Sequence, residues 1–163
     1  MLTRNHKLAL KELIEKLDSC GIWYQITGGL AAYFYGAKRK VIDIDIDVFK
    51  KDIPEIQKVL KSNIKKDYFR YIDESFDFYL IQLEINEIEI DISQYEDAYF
   101  KDLNGKVYGF DPKNPIPRIF SLDDLKISVE DINQLVNYKN IIRREVDIDD
   151  IVAIQHLLAK PLS

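Results

Sequence analysis

Three aspartates alternate with apolar residues in the segment 41–48, VIDIDIDV. A two-residue period is typical of a strand with one buried face, so Asp43, Asp45 and Asp47 are expected to share the opposite face. Successive carboxylates on that face lie about 7 Å apart along the backbone and closer at their tips. Like charges at this spacing repel one another unless a cation lies between them, and carboxylate oxygens are typical Mg²⁺ ligands. The segment is therefore a candidate metal site, with a solvated acidic strand face as the alternative interpretation.

A second segment, 87–93, repeats this pattern, with Glu87, Glu89 and Asp91 between isoleucines. If the two strands pair with their acidic faces on the same side, Asp91 adds a third carboxylate. Three carboxylates on two strands can hold two Mg²⁺ ions, which activate an attacking hydroxyl and stabilise a leaving phosphate. The two segments together predict phosphoryl-transfer chemistry.

Upstream, Gly28 and Gly29 lie where a short strand, Trp23 to Thr27, is expected to meet a short helix. Bare backbone N–H groups at such a junction favour phosphate oxygens. A glycine pair alone is a weak signal. Beside an acidic strand it favours a site for a phosphorylated ligand.

The combination of Thr27-Gly28-Gly29 and, after thirteen intervening residues, Asp43-Ile44-Asp45-Ile46 resembles the signature of the DNA polymerase β-like nucleotidyltransferase superfamily. Its small bacterial members, related to toxin–antitoxin and abortive-infection systems, share further residues with this chain: Ala31, Tyr35, Gly36 and Arg39. The segments 71–74 and 89–93 are similar to segments of short bacterial proteins labelled MazG-related. That label does not imply pyrophosphohydrolase activity, because the sequence shows no helical cluster of glutamates at metal-ligand spacing. The segment 135–139 and the charged residues after it extend the resemblance, which covers roughly 21–158.

This resemblance implies an α+β nucleotidyltransferase fold: a mixed or antiparallel sheet flanked by helices, with a C-terminal helical hairpin. The implied catalytic and metal-binding residues are Asp43, Asp45 and Asp91, with two Mg²⁺ ions, or Mn²⁺ in their place. The implied nucleotide-binding residues are Gly28, Gly29, Arg39 and Lys139. The implied reaction transfers a nucleoside monophosphate from an NTP to an acceptor hydroxyl and releases pyrophosphate. The alternative is a catalytically inactive protein of this fold that binds a partner protein or senses a nucleotide.

Several assignments have a competing interpretation. The acid pair could be Asp45 and Asp47, and Glu89 is the alternative to Asp91, but the spacing from Gly29 favours the first register and leaves Asp47 at the surface. Arg39 and Lys139 are equally well explained as surface ion pairs. A structural ion-pair network is the preferred role of four C-terminal residues: Arg143, Arg144, Asp147 and Asp150. Base stacking is a minority interpretation of four loop aromatics: Tyr95, Tyr99, Phe100 and Tyr108.

The remaining elements follow from periodicity and capping signals. Helices are predicted over about 5–20 and from Asp52 to about residue 64, and strands over 68–72 and 76–85. The segment 94–120 is expected to be mostly loop with one short hairpin. Ser128 with Asp131 predicts a capping box that begins a helix ending near residue 142, and Asp147 begins another that ends near residue 159. We expect one domain over 1–163, with a core at about 5–120 and C-terminal helices at about 128–160.

The amino-acid composition excludes some kinds of site and disfavours some functions. The chain has 163 residues, a formal charge of -5, one cysteine and two histidines, so multi-thiolate zinc sites and internal disulfides are excluded. His6 is expected near a frayed terminus, and His156 on a helix face. The acidic balance disfavours non-specific nucleic-acid binding and makes a protein side chain or small molecule a better acceptor than tRNA. The uncharged stretch 20–37 contains four glycines and is interpreted as strand, turn and helix rather than a membrane span, and a cytoplasmic location is expected.

Overall fold

The computed structural model describes residues 2–110 and 113–159. The α-helices are α1 (Arg4–Ser19), α2 (Gly28–Phe34), α3 (Ile53–Val59), α4 (Ile132–Ile142) and α5 (Glu145–Leu158). The strands are β1 (Tyr24–Ile26), β2 (Ile44–Val48), β3 (Ile64–Ile72), β4 (Phe76–Ile85), β5 (Ile88–Gln94), β6 (Tyr99–Lys101), β7 (Val107–Gly109), β8 (Arg118–Leu122) and β9 (Leu125–Val129). Two 3₁₀ helices, Lys50–Asp52 and Lys61–Asn63, flank α3. None of the described helices has the length and hydropathy needed to cross a bilayer.

The strands of the described part form one mixed sheet in the order β7-β6-β4-β5-β2-β1-β9-β8, and β3 pairs with β4 beside this path. β2 pairs in parallel with β5 and antiparallel with β1, which pairs in parallel with β9. The other pairings are antiparallel. The predicted α+β class, with a mixed sheet and flanking helices, is confirmed.

The two acidic strands, β2 and β5, lie side by side. Their register pairs Asp45 with Asp91 and Ile46 with Ile92. Because side chains alternate along each strand, the carboxylates of both strands project from one face of the sheet and the isoleucines from the other. The condition for Asp91 to supply the third carboxylate is therefore met.

Helix α1 covers the apolar face of the sheet through contacts with β4 and β5. Leu10, Leu13 and Leu17 have no exposed surface and belong to the same hydrophobic cluster as Ile44 and Ile90. Full burial of each such side chain contributes about 1.5–3 kcal/mol. This packing fixes the acidic strands from behind and leaves their carboxylates on the opposite side.

The start of α1 is fixed more firmly than expected. Thr3 caps the helix, because its Oγ1 accepts a hydrogen bond from the His6 backbone N–H. The prediction that His6 lies at a frayed terminus is wrong: the residue is 3% exposed, and its Nε2 lies 3.2 Å from the carbonyl oxygen of Ile42. The His6 ring thereby joins the start of α1 to the segment that leads into β2.

The C-terminal helical hairpin, α4 and α5, is confirmed, but its predicted start is wrong. Ser128 lies in β9, and the N-cap of α4 is Asp131, whose side chain accepts a hydrogen bond from the Asn133 backbone N–H. Strands β8 and β9 form a hairpin that the sequence analysis did not predict, and β9 pairs with the distant β1. The helix predicted from Asp52 is also shorter, since α3 ends at Val59 and Ile64 begins β3.

Candidate active site

The acidic face of the sheet forms one wall of a cavity of about 400 Å³. Asp43, Asp45 and Asp47 line it from the β2 segment, and Glu89 and Asp91 line it from β5. Aromatic side chains from several segments form other parts of the wall: Tyr71, Phe76, Phe78, Phe110 and Tyr138. A concave site with convergent polar groups and apolar walls is the usual form of a ligand-binding site.

Asp45 lies against the glycine turn. The Thr27 backbone N–H donates to the carbonyl oxygen of Asp45 over 2.9 Å, which ties the end of β1 to β2. Gly28 has a φ of 61°, and a Cβ at this position would clash with Asp45 Oδ2. Glycine tolerates this backbone conformation and also leaves the space that the carboxylate occupies. Burial, followed by the charges of Asp43 and Asp91, raises the pKa of Asp45 above its ordinary value.

Asp91 presents an oxygen that the described part of the protein does not satisfy. Its Oδ1 is buried and has no hydrogen-bond partner. Burial raises the pKa of the Asp91 carboxyl to about 6, and the charges of Glu89 and Asp43 add to this shift. Buried polar atoms are nearly always paired in native structures. A cation or a donating ligand in the cavity would satisfy this oxygen.

Asp47 lines the cavity, so its assignment to the surface is wrong. Gln25 Nε2 donates to Asp47 Oδ2 over 3.0 Å. Burial raises the pKa of the Asp47 carboxyl to about 7, and the Gln25 hydrogen bond opposes this shift. The two-residue period already placed Asp47 on the face of Asp45, but its burial depends on Gln25 of a different strand. In the strand register Asp47 lies opposite Ser93 rather than a carboxylate, which favours Asp43 and Asp45 as the acid pair.

The donors at this site fit a hard divalent cation. Asp43, Asp45 and Asp91 offer carboxylate oxygens, and one of these oxygens is buried without a partner. Within residues 2–110 and 113–159, no group of three or more His, Cys, Asp or Glu side chains is already gathered at metal-binding distance. The three carboxylates thus share one cavity, and shared coordination of a cation requires their side chains to converge.

Glu130, directly after β9, is a buried acid that the sequence analysis missed. It is 2% exposed and accepts a hydrogen bond from Thr27 Oγ1 over 2.8 Å. Burial raises the pKa of its carboxyl to about 8, and the charge of Asp47 adds to the shift. The Glu130 carbonyl oxygen also accepts from the Tyr35 hydroxyl over 2.8 Å. Since Thr27 directly precedes the glycine pair, Glu130 joins β9 to the glycine turn, a contact for which the sequence holds no periodic signal.

The predicted nucleotide contacts Arg39 and Lys139 are both engaged in ion pairs. Lys139 has no exposed surface, and its Nζ lies 2.8 Å from Asp147 Oδ1 and 3.0 Å from Asp150 Oδ2. Arg39 donates from Nε and Nη2 to the two oxygens of Asp150 over 2.7 and 3.0 Å. Neither residue is among the described residues that line the cavity. Arg39 instead abuts Gly29, where a Cβ would clash with its Nη2.

Arg144, directly before α5, is the one basic residue among the described residues that line the cavity. Its Nε and Nη2 donate to the carboxylate of Asp147 over 2.8 and 3.1 Å, and its guanidinium carbon lies 5.0 Å from the centre of the Phe76 ring. The prediction of an ion-pair network around Asp147 and Asp150 is confirmed for Arg144. Its cavity position could not be read from the sequence, because it depends on how α4 and α5 fold back on the sheet.

The four aromatics predicted in the loop segment serve mainly in packing, and three of them lie in the β6–β7 hairpin. Phe100 is 2% exposed and stacks on Tyr108 with ring centres 5.7 Å apart. Tyr95 lines the cavity, yet it is 7% exposed and packs edge-on against Trp23 at 6.1 Å. Tyr99 is 41% exposed and is not among the described lining residues.

No model of a protein family and no curated protein sequence matches this chain. A solved structure of a candidate nucleotidyltransferase from Thermotoga maritima aligns over 97% of this chain and 95% of that chain, with a TM-score of 0.73 and 18% identity. Lincosamide antibiotic adenylyltransferase LnuA, bound to lincomycin, aligns over 94% and 97%, with a TM-score of 0.58 and 19% identity. ANT(2")-Ia, in complex with adenylyl-2"-tobramycin, aligns over 92% and 87%, with a TM-score of 0.61 and 13% identity. These similarities establish that the chain has a nucleotidyltransferase fold.

Proposed function

We propose that this protein is a Mg²⁺-dependent nucleotidyltransferase, which transfers a nucleoside monophosphate from an NTP to an acceptor hydroxyl and releases pyrophosphate. The observation that carries the proposal is the parallel register of the two acidic strands, which places Asp45 beside Asp91 in one cavity next to Gly28. The fold supports the proposal. So do two structural neighbours, one named as an adenylyltransferase and one in complex with adenylyl-2"-tobramycin.

In the proposed reaction, Asp43, Asp45 and Asp91 would hold one or two divalent cations. Bound cations would supply charge neutralisation on the phosphates and a lower pKa of the acceptor hydroxyl. The acceptor oxygen forms a bond to the α-phosphorus, and the bond from that phosphorus to the pyrophosphate oxygen breaks. Asp91 would accept the hydroxyl proton, since its buried Oδ1 has no hydrogen-bond donor among the described residues. The phosphates would lie beside the turn at Gly28, which lines the cavity. The predicted nucleotide contact Gly29 is not among the described lining residues, and Arg39 Nη2 takes the space beside it.

The electrostatics of the cavity are consistent with a cation-binding role. Burial raises the pKa values of Asp47 and Asp91 to about 7 and about 6, so the protein alone disfavours their ionised forms. A structural role would be served better by neutral side chains of the same size. Acids kept in such surroundings are typical of functional sites.

The first test removes one carboxylate and measures nucleotide binding by calorimetry. Wild type, Asp45→Asn and the control Asp149→Asn are titrated with ATP, GTP, CTP and UTP, with and without Mg²⁺. Asp149 is exposed on α5 and is not among the described lining residues, so its variant removes the same charge away from the cavity. We expect Mg²⁺-dependent binding of at least one NTP by wild type and Asp149→Asn, and its loss in Asp45→Asn.

Loss of function through unfolding is distinguishable from loss of the site. Because burial and neighbouring negative charges disfavour ionised Asp45, the neutral amide should leave the metal-free protein at least as stable as wild type in urea unfolding. Mg²⁺-dependent binding that survives in Asp45→Asn would refute the site. A folded wild type that binds no NTP would contradict the proposed function and favour a partner-binding role.

We further propose, from its sequence motifs, that the protein belongs to the small bacterial nucleotidyltransferases of toxin–antitoxin type. The acceptor class that we would test first is a hydroxyl-bearing small molecule, since the two named neighbours carry lincomycin and adenylyl-2"-tobramycin. Labelled NTP incubated with small-molecule, protein and tRNA acceptors in separate reactions would distinguish the classes.

A further inference from the structure

We infer that Arg144 binds phosphate oxygens of the nucleotide in the cavity; this inference rests on the proposed function. The cavity is strongly acidic, and the proposed ligand also carries several negative charges, so the two repel each other. The described acidic lining residues are Asp43, Asp45, Asp47, Asp73, Glu89 and Asp91. Among the described lining residues, Arg144 is the only basic one. Cations held by the metal-binding aspartates would offset part of the repulsion, and Arg144 is the remaining positive contact that the lining offers.

The two residues that the sequence analysis assigned to the nucleotide are poorly placed for this role. Lys139 is fully buried, and two carboxylates lie within 3.0 Å of its Nζ. Arg39 uses two donors on Asp150 and abuts Gly29. A phosphate could reach Lys139 only by displacing one of these carboxylates. Arg144, in contrast, is 44% exposed at the cavity wall.

The contacts of Arg144 leave donors for a ligand. Its guanidinium group has five N–H donors in a fixed plane, and two are used on Asp147. The Asp147 carboxylate holds one edge of the plane, and the ring of Phe76 lies 5.0 Å from the guanidinium carbon. Because these contacts already orient the guanidinium, it loses little conformational entropy when it binds phosphate. Its planar array of N–H donors can also bind two phosphate oxygens at once.

Asp147 is itself fixed, so the orientation of Arg144 is built into the helical hairpin. Asp147 has no exposed side-chain surface and accepts hydrogen bonds from Lys139 Nζ over 2.8 Å and from the Arg144 backbone N–H over 3.2 Å. Lys139 also contacts Asp150, the partner of Arg39. Lys139 therefore acts as a positioning residue for Arg144 rather than as a phosphate ligand.

The test compares Arg144→Ala, Arg144→Lys and the control Arg143→Ala by calorimetric titration. The probes are the NTP that wild type binds with Mg²⁺ and inorganic tripolyphosphate with Mg²⁺, which lacks sugar and base. Arg143 is the adjacent exposed arginine and is not among the described lining residues, so its variant removes the same charge from the same turn. Urea unfolding of each variant verifies that it is folded.

Because Arg144→Ala removes hydrogen bonds to a charged group, we expect it to weaken binding of both probes about 10- to 100-fold. Arg144→Lys should fall between Arg144→Ala and wild type, and Arg143→Ala should bind within about threefold of wild type. Wild-type-like binding of either probe by folded Arg144→Ala would overturn the inference while leaving the proposed function intact. Failure of wild type to bind any NTP would overturn both.

Discussion

Gly28 and Asp45 show how a single atom decides the geometry of the candidate site. The glycine has a left-handed backbone conformation, and the space beside it is occupied by Asp45 Oδ2. Any other residue at this position carries backbone strain and also displaces the carboxylate. The two costs can be separated, because Gly21 has the same conformation, with φ of 64°, but nothing within 4 Å of a Cβ.

We therefore predict that Gly21→Ala loses about 1–2 kcal/mol of stability through left-handed strain. Gly28→Ala should lose at least as much, because its methyl group also displaces Asp45 Oδ2. Only Gly28→Ala should also lose Mg²⁺-dependent NTP binding, because only its methyl group reaches Asp45. Urea unfolding and calorimetric titration measure the two effects. Retained NTP binding in Gly28→Ala would show that Asp45 need not hold its observed position.

The residues of the site differ in how far the sequence could predict them. Asp43, Asp45 and Asp91 could be predicted, because a two-residue period is a local signal that assigns side chains to one face of a strand. Glu130 and Arg144 were not, because each enters the site through contacts between elements distant in the sequence. The register of β2 and β5 is intermediate: the pattern predicted the faces, and the structure added the pairing of Asp45 with Asp91.

At the scale of elements, α4 and α5 are joined by buried charge. Lys139 of α4 contacts Asp147 and Asp150 of α5, and none of the three side chains has exposed surface. Removal of one partner from a buried ion pair costs about 3–5 kcal/mol, because a desolvated charge is left behind. Exposed ion pairs such as Lys7 with Asp123 contribute about 0–1 kcal/mol.

Lys139→Met should accordingly lower the free energy of unfolding by about 3 kcal/mol, while Lys7→Met changes it by less than about 1 kcal/mol. Both substitutions replace a lysine by an apolar side chain of similar length. Urea unfolding monitored by circular dichroism gives the two values. Equal stability of the two variants would mean that the arginines alone satisfy Asp147 and Asp150.

The predicted start of α4 is wrong because a local capping signal competed with strand pairing to a distant segment. Ser128 and Asp131 have the spacing of a capping box, which predicted a helix start. Ile127 and Val129 also alternate with polar residues and are buried, as a strand requires. Parallel pairing of β9 with β1 decides the outcome, and that contact spans about one hundred residues and has no sequence signal of its own.

At the scale of the whole molecule, several acids are held in surroundings that favour their protonated forms. Burial raises the pKa values of Asp47, Asp91 and Glu130 to about 7, about 6 and about 8, and it raises the pKa of Asp45. The folded protein thus binds more protons than the unfolded chain above about pH 4. The stability that these groups contribute is complete below their unfolded pKa values and is lost as pH rises through the folded ones.

We predict that the free energy of unfolding of the metal-free protein falls by about 2 kcal/mol or more between pH 5 and pH 8. Carboxyls with lowered pKa, such as Asp147, are ionised in both states across this window and do not oppose the fall. Glu130→Gln should reduce the fall, and Asp149→Asn should leave it unchanged. Because Mg²⁺ and protons compete for the same oxygens, Mg²⁺ should stabilise the protein more at pH 8 than at pH 5. Urea unfolding across pH, with and without Mg²⁺, checks each point, and a stability that rises steadily from pH 5 to pH 8 would contradict the buried-acid account of the cavity.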